Sequence, residues 1–189
     1  GFYVPEDDSR AAVGSLATEA ARTAAVPCPK GRYSPGPGAK ECLECAAGTY
    51  ADQEGSLSCK SASRGWYVEG EGAFEEKECK RGTYTETEGQ SSCRDAKPGS
   101  FVASEGASEE KACARGKFSG PAATACDDCL AGSYAKETGQ STCDLASAGH
   151  YVKKKGATSE TPCAEGFYSP SNGADKCIPC ALGTYADGK

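Results

Sequence analysis

Thirteen cysteines are the reactive groups of this 189-residue chain, and they stand at regular intervals. Thiols at such density have three chemistries open to them: covalent pairing, thiolate ligation of a metal, or Cys-x-x-Cys redox exchange. Spacing separates these. Joining each cysteine that stands three residues before a glycine to the one 14 (once 13) residues on gives Cys28–Cys42, Cys45–Cys59, Cys79–Cys93, Cys113–Cys126, Cys129–Cys143 and Cys163–Cys177. Cys180 alone is left over, and the same interval of 14 puts its partner past Lys189. Three further couples lose both halves together: Ala62 with Glu76, Ala96 with Glu110, and Ala146 with Glu160, each 14 apart. Random loss strands single thiols; joint loss is what bonded partners require. The rival scheme closes Cys42 on Cys45, Cys126 on Cys129 and Cys177 on Cys180, and it strands Cys28, Cys59 and Cys79. Bonded sulfurs are not thiolates, so no metal cluster is expected.

Other catalytic chemistry is sparse. The one histidine, His150, occupies the variable middle of a Gly-x-Tyr motif. Asp7-Asp8 and Asp127-Asp128 lack calcium-loop spacing, and Glu105, Glu109 and Glu110 read as solvated surface. Neither a phosphate loop nor a nucleophile elbow is present. The expectation is a chain that is not an enzyme and carries no cofactor. A net charge of -6 spread along the sequence opposes a nucleic-acid partner.

A repeat positions the cysteines. Glycine, any residue, then Tyr or Phe begins at Gly1, Gly31, Gly48, Gly65, Gly82, Gly99, Gly116, Gly132, Gly149, Gly166 and Gly183, with steps of 17 and one of 16 after Gly31. Five residues past most aromatics stands a second glycine, Gly38, Gly55 and Gly72 among them, which reads as a turn needing positive φ. The unit at Phe118 is one residue shorter and lacks that glycine, so its turn is expected to be the most irregular. Two short strands, a turn and a staple make the simplest unit, with Cys-x-x-Gly as the corner into the next.

Leu, Ile, Val and Phe supply only 18 residues, too few for an ordinary core. Staples therefore replace it, which calls for an oxidising setting, extracellular or at the cell surface. Neither a membrane-length apolar run nor a signal peptide is visible, and both ends read as cut from a longer array, leaving membrane anchoring open.

The expected fold class is small and disulfide-rich: a tandem array of ~17-residue β-hairpin-like units in an elongated, solenoid-like rod with little helix. Its divisions run 1–27, a staple-free unit with an Ala-rich insertion; 28–78, three units; 79–112, a shortened pair; 113–162, three units; and 163–189, a repeat that stops partway. The aromatics, Tyr33, Tyr50, Tyr67, Tyr84 and their equivalents, are expected to pack between units with hydroxyls at the rim. Val4, Val68, Val102 and Val152 follow the aromatic where the cysteine couple is missing, as if added apolar burial offset the absent bond. Ala11 to Val26 is read as a surface excursion or a short helix that docks a neighbouring chain. Val13 and Leu16 in that insertion, and Trp66, are the candidate partner contacts.

Cys42-Leu-Glu-Cys45-Ala-Ala-Gly48-Thr-Tyr50, followed by Gly55 and Cys59, resembles the ephrin-receptor-like cysteine-rich repeat. Gly132-Ser-Tyr134 to Cys143 and Cys177-Ile-Pro-Cys180-Ala-Leu-Gly183-Thr-Tyr185 match as well. The resemblance implies tandem repeats in an extracellular receptor, surface antigen or large surface protein, with no catalytic residues to carry over. With the Ala–Glu couples it favours a structural segment of a filament or surface appendage such as a flagellar surface. Its expected partners are copies of itself or other subunits of an extracellular assembly, with glycans a second class. The alternative is the stalk or ligand-binding ectodomain of a receptor or adhesin.

Overall fold

The computed structural model describes residues 2–3 and 25–185. They form ten two-stranded antiparallel hairpins, each strand two residues long. The strand Arg32–Tyr33 pairs with Leu43–Glu44, Thr49–Tyr50 with Lys60–Ser61, and so on to Phe167–Tyr168 with Ile178–Pro179. Register is constant: the aromatic always faces the first residue of the second strand, as Tyr67 faces Lys77 and Phe118 faces Asp127. The chain is thus a disulfide-rich array of small hairpins, with no helix among the described residues.

A turn with glycine at its third residue opens each hairpin. In Pro29–Arg32 the Arg32 N–H donates to the Pro29 carbonyl at 3.1 Å, and Gly31 takes φ +83°. That backbone is a type II turn, which requires positive φ where the sequence places glycine. The same bond recurs from Thr49 to Ala46 and from Trp66 to Ser63. Isolated two-stranded ribbons are marginal in water, so stability must come from staples and from contact between hairpins.

The described residues fall into two compact units, Gly1–Cys79 with Thr85–Cys93, and Lys80–Tyr84 with Arg94–Lys189. In the first, three backbone bonds tie each hairpin to the next. Gly48 N–H donates to the Val68 carbonyl (2.8 Å), Ala51 N–H to Ala73 (3.1 Å), and Gly72 N–H to Cys45 (2.8 Å). The second unit repeats them: Gly132 to Val152 (2.8 Å), Ala135 to Ala157 (3.0 Å) and Gly156 to Cys129 (2.8 Å). None of these bonds consumes a side chain.

Contact also skips a hairpin. A Cβ on Gly31 would stand 2.0 Å from the carbonyl oxygen of Gly72, two hairpins on, and one on Gly99 would stand 1.9 Å from that of Gly139. Glycine is required there twice, for its positive φ and for the space it leaves.

The turn after Phe118 departs from the others, as expected, yet keeps the ladder. Ala122 adopts φ +53° in the place of the missing glycine, and its N–H still donates to the Ala96 carbonyl at 2.8 Å. The ladder outweighs the left-handed strain of one alanine.

Within each unit the core is a column rather than a centre. The residue after each aromatic is buried: Ser34, Ala51, Val68, Thr85, Val102, Ser119, Ala135, Val152 and Ser169. The aromatics themselves are mostly half-exposed; Tyr84 is buried, while Tyr168 and Tyr185 are exposed. Most of the aromatics, expected to pack between units with hydroxyls at the rim, are thus less buried than the small residues that follow them. Small residues fit because the adjacent backbones approach to hydrogen-bonding distance.

Candidate functional site: the staples and the seams between hairpins

Disulfides join Cys28 to Cys42, Cys45 to Cys59, Cys79 to Cys93, Cys113 to Cys126, Cys129 to Cys143, and Cys163 to Cys177, with Cα separations of 5.7 to 5.8 Å. Each runs from the residue three before the repeat glycine to the residue before the second strand. The opening sulfurs of Cys28, Cys45, Cys79, Cys113 and Cys129 are fully buried, and their partners are half-exposed. A loop of this length closed by a disulfide gains about 3 kcal/mol in the chain-entropy model. Cys180 is unpaired and half-exposed.

Three hairpins replace the bond with a carboxylate. Glu76 accepts the backbone N–H of Ser63 at 2.5 Å and the Ser63 hydroxyl at 3.0 Å. Glu110 accepts the Lys97 N–H at 2.7 Å, and the Lys97 ammonium lies 3.5 Å from its other oxygen. Glu160 accepts the Ser147 N–H at 2.6 Å and the Ser147 hydroxyl at 3.3 Å. Each carboxylate thus reaches the residue just after the alanine that stands for the opening cysteine, closing the hairpin at the same place. The Glu110 side chain is 17% exposed, less than the solvated surface position expected for it.

The buried column answers each choice of staple. Stapled hairpins carry Ser34, Ala51, Thr85, Ser119, Ala135 and Ser169; carboxylate-closed ones carry Val68, Val102 and Val152. Val102 packs in one cluster with Ala96, the opening alanine of its own hairpin, and with Tyr84 of the preceding one. Where the opener is alanine the column residue is valine; where it is cysteine the column residue is smaller or, at Thr85, of similar size but polar. Hydrogen bonds to a charged acceptor contribute about 1.5–3 kcal/mol, and the two extra carbons of valine about 1.6 kcal/mol. Together, at about 3–4.6 kcal/mol, they are comparable to or above the ~3 kcal/mol of the disulfide they replace.

The column hydroxyls are satisfied. Gly65 N–H donates to the Thr85 hydroxyl at 2.7 Å, which donates in turn to the Trp66 carbonyl, and the Ser119 hydroxyl donates to Ser100 at 2.9 Å. Aromatics meet the carboxylates across the seam. Burial pushes the Tyr50 phenol above its ordinary value, and Glu76 of the next hairpin adds to the rise by charge and by accepting a hydrogen bond. Tyr134 is raised the same way, by burial first and then by Glu160 and Asp144.

Exposed ion pairs decorate the hairpins. Lys60 and Asp52 meet at 2.8 Å, which raises the lysine and lowers the aspartate; Lys117 and Asp128 meet at 2.6 Å and lower Asp128. In water such pairs contribute little. Trp66 is half-buried in its strand opposite Glu78. Val13 and Leu16, with the expected helix around them, lie outside the described residues. Among the described residues, no three His, Cys, Asp or Glu converge as a metal-ligating group, and no helix is long and apolar enough to cross a membrane.

Side-chain chemistry in the seams is therefore the chemistry of closure. The Ser63, Lys97 and Ser147 amides and the small column residues carry it without any sequence motif of their own, apart from the 14-residue Ala–Glu interval.

The model of the tyrosine-protein kinase ephrin type A/B receptor-like family matches residues 19–61, 31–79 and 116–163, together more than half of the chain. No curated protein matches the chain significantly. Bonded cysteine couples in repeats of this kind mark an extracellular cysteine-rich segment. With its six intra-hairpin staples and its Gly-x-aromatic register, the chain belongs to the ephrin type A/B receptor-like repeat family.

Proposed function

We propose that this segment is a scaffold within a large extracellular protein, part of a filament or surface appendage such as a flagellar surface, whose repeats hold position and offer lateral contacts. It turns over no substrate. Its partners are copies of itself or other subunits of the assembly, with glycans as a second class. The observation that carries this is the backbone ladder from hairpin to hairpin, which builds the same local geometry whatever the exposed side chains are. Staples inside six of the loops resist proteolysis and shear, as an exposed structural element requires. A receptor or adhesin stalk would be favoured by an exposed aromatic platform around Trp66, which is instead half-buried.

Immunogold labelling of unpermeabilised cells, with fractionation of detergent-insoluble surface material, tests the proposal. Antibody against this chain should decorate an extracellular appendage and follow the insoluble fraction. Label confined to the cell interior, or complete release as a single soluble species, would contradict it.

A further inference from the structure

In six hairpins a tension applied along the chain passes across the disulfide, so the stretch between cysteines 13 or 14 positions apart is bypassed. In the hairpins closed by Glu76, Glu110 and Glu160 the same tension has no covalent shortcut. It must be borne by a carboxylate hydrogen bond and by the strand pairs Trp66–Tyr67 with Lys77–Glu78, Ser100–Phe101 with Lys111–Ala112, and His150–Tyr151 with Thr161–Pro162. The bonds between hairpins are of one kind in stapled and unstapled members, so breaking them releases length only where no staple exists.

We infer that the three carboxylate-closed hairpins are extension elements, which open under load and lengthen the chain by a fixed amount while the stapled hairpins stay shut. The inference rests on the scaffold function proposed above and adds a mechanical property to it. The increment follows from covalent geometry. Ala62 and Glu76 stand 14 positions apart. Taking the 5.7 Å Cα separation of the stapled hairpins as the closed distance, full extension releases about 40–45 Å per hairpin. Reclosure needs no redox chemistry: the carboxylate and its amide partner reform their bond once load falls. The valine column gives each element an apolar seat to return to.

Single-molecule force spectroscopy on the full chain, pulled from its two ends, tests this. The oxidised protein should show three reversible steps of about 40–45 Å, and a dithiol reductant should add six more. The segments before Cys28 and after Cys177 extend in every sample, so the decisive reading is a difference. Ala62→Cys with Glu76→Cys and Val68→Ala, its new disulfide verified by mass, should remove one step and leave two. Glu76→Gln should keep the step but lower its force. An oxidised chain with no steps of this length, or an undiminished set in the seven-disulfide variant, would overturn the inference. Steps of the right size in a protein absent from any appendage would support the device and contradict the scaffold location; the reverse result would do the opposite.

Discussion

The carboxylate of Glu76 accepts the backbone N–H of Ser63, 13 residues earlier, at 2.5 Å, at the point where a stapled hairpin has its second sulfur. A charged acceptor on a backbone donor is among the stronger hydrogen bonds in proteins. The same relation at Lys97–Glu110 and Ser147–Glu160 makes it a rule of the array.

Glu76→Ala should accordingly speed hydrogen exchange at the Ser63 amide by about 10- to 100-fold, the equivalent of roughly 1.5–3 kcal/mol of local closure. Glu76→Gln, which keeps an acceptor without the charge, should fall between. Local exchange is the right readout because arrays need not melt as one unit. Equal exchange in all three proteins would remove the carboxylate from the account.

The pairing of closure type with column residue is testable by substitution. Ala62→Cys with Glu76→Cys should form a seventh disulfide with Val68 in place, since Thr85, close to valine in size, is buried beside the Cys79–Cys93 disulfide. Adding Val68→Ala should lower the melting temperature below that of the double variant, because burial of two carbons is lost. In reverse, Cys79→Ala, Cys93→Glu and Thr85→Val made together should be tolerated, whereas Cys79→Ala alone should leave a free thiol and a weakened hairpin. Alkylation with mass measurement, and thermal melts, report both.

Much of this was legible before any coordinates, and what was not has a physical reason. Hairpin register, turn glycines and the cysteine couples are local, set by residues within 17 positions of one another, so spacing reveals them. Paired loss of Ala62 and Glu76 was visible, but its consequence was not, because the Ser63 donor is a backbone amide common to every sequence. The valines stood out; Ser34, Ala51 and Ala135 did not, since small residues are buried there by close backbone approach rather than by hydrophobicity. The approach of Gly31 to Gly72 skips an entire hairpin and uses no side chain. The Phe118 turn was expected to be irregular, and it is: Ala122 takes a left-handed φ there, while the ladder is kept.

Glycines separate the two kinds of constraint. Gly99→Ala would drive a methyl to 1.9 Å from the Gly139 carbonyl oxygen, so backbone must move and the loss should exceed about 3 kcal/mol. Gly38→Ala meets nothing within 4 Å and should cost only the left-handed strain, about 1–2 kcal/mol. Urea titrations of the two variants should rank in that order.

Alkaline pH probes the seam. A phenol whose folded value is raised contributes stability below its unfolded value, about 10, and that contribution is withdrawn as pH climbs through the raised value. Site-resolved NMR titration should show Tyr50 and Tyr134 ionising above the ordinary tyrosine range. Glu76→Gln should return Tyr50 toward it and leave Tyr134 where it was. Coincident, ordinary titration of both would contradict the Tyr–Glu contact across the seam.

Intra-hairpin closure is the claim on which the rest depends, and unreduced peptide mapping tests it most directly. Cleavage after Glu44 parts Cys42 from Cys45, and cleavage at Asp127 or Asp128 parts Cys126 from Cys129. The account predicts linked peptides for Cys28–Cys42, Cys45–Cys59 and Cys113–Cys126. Recovery of Cys42 bonded to Cys45, or of most cysteines as free thiols, would contradict it.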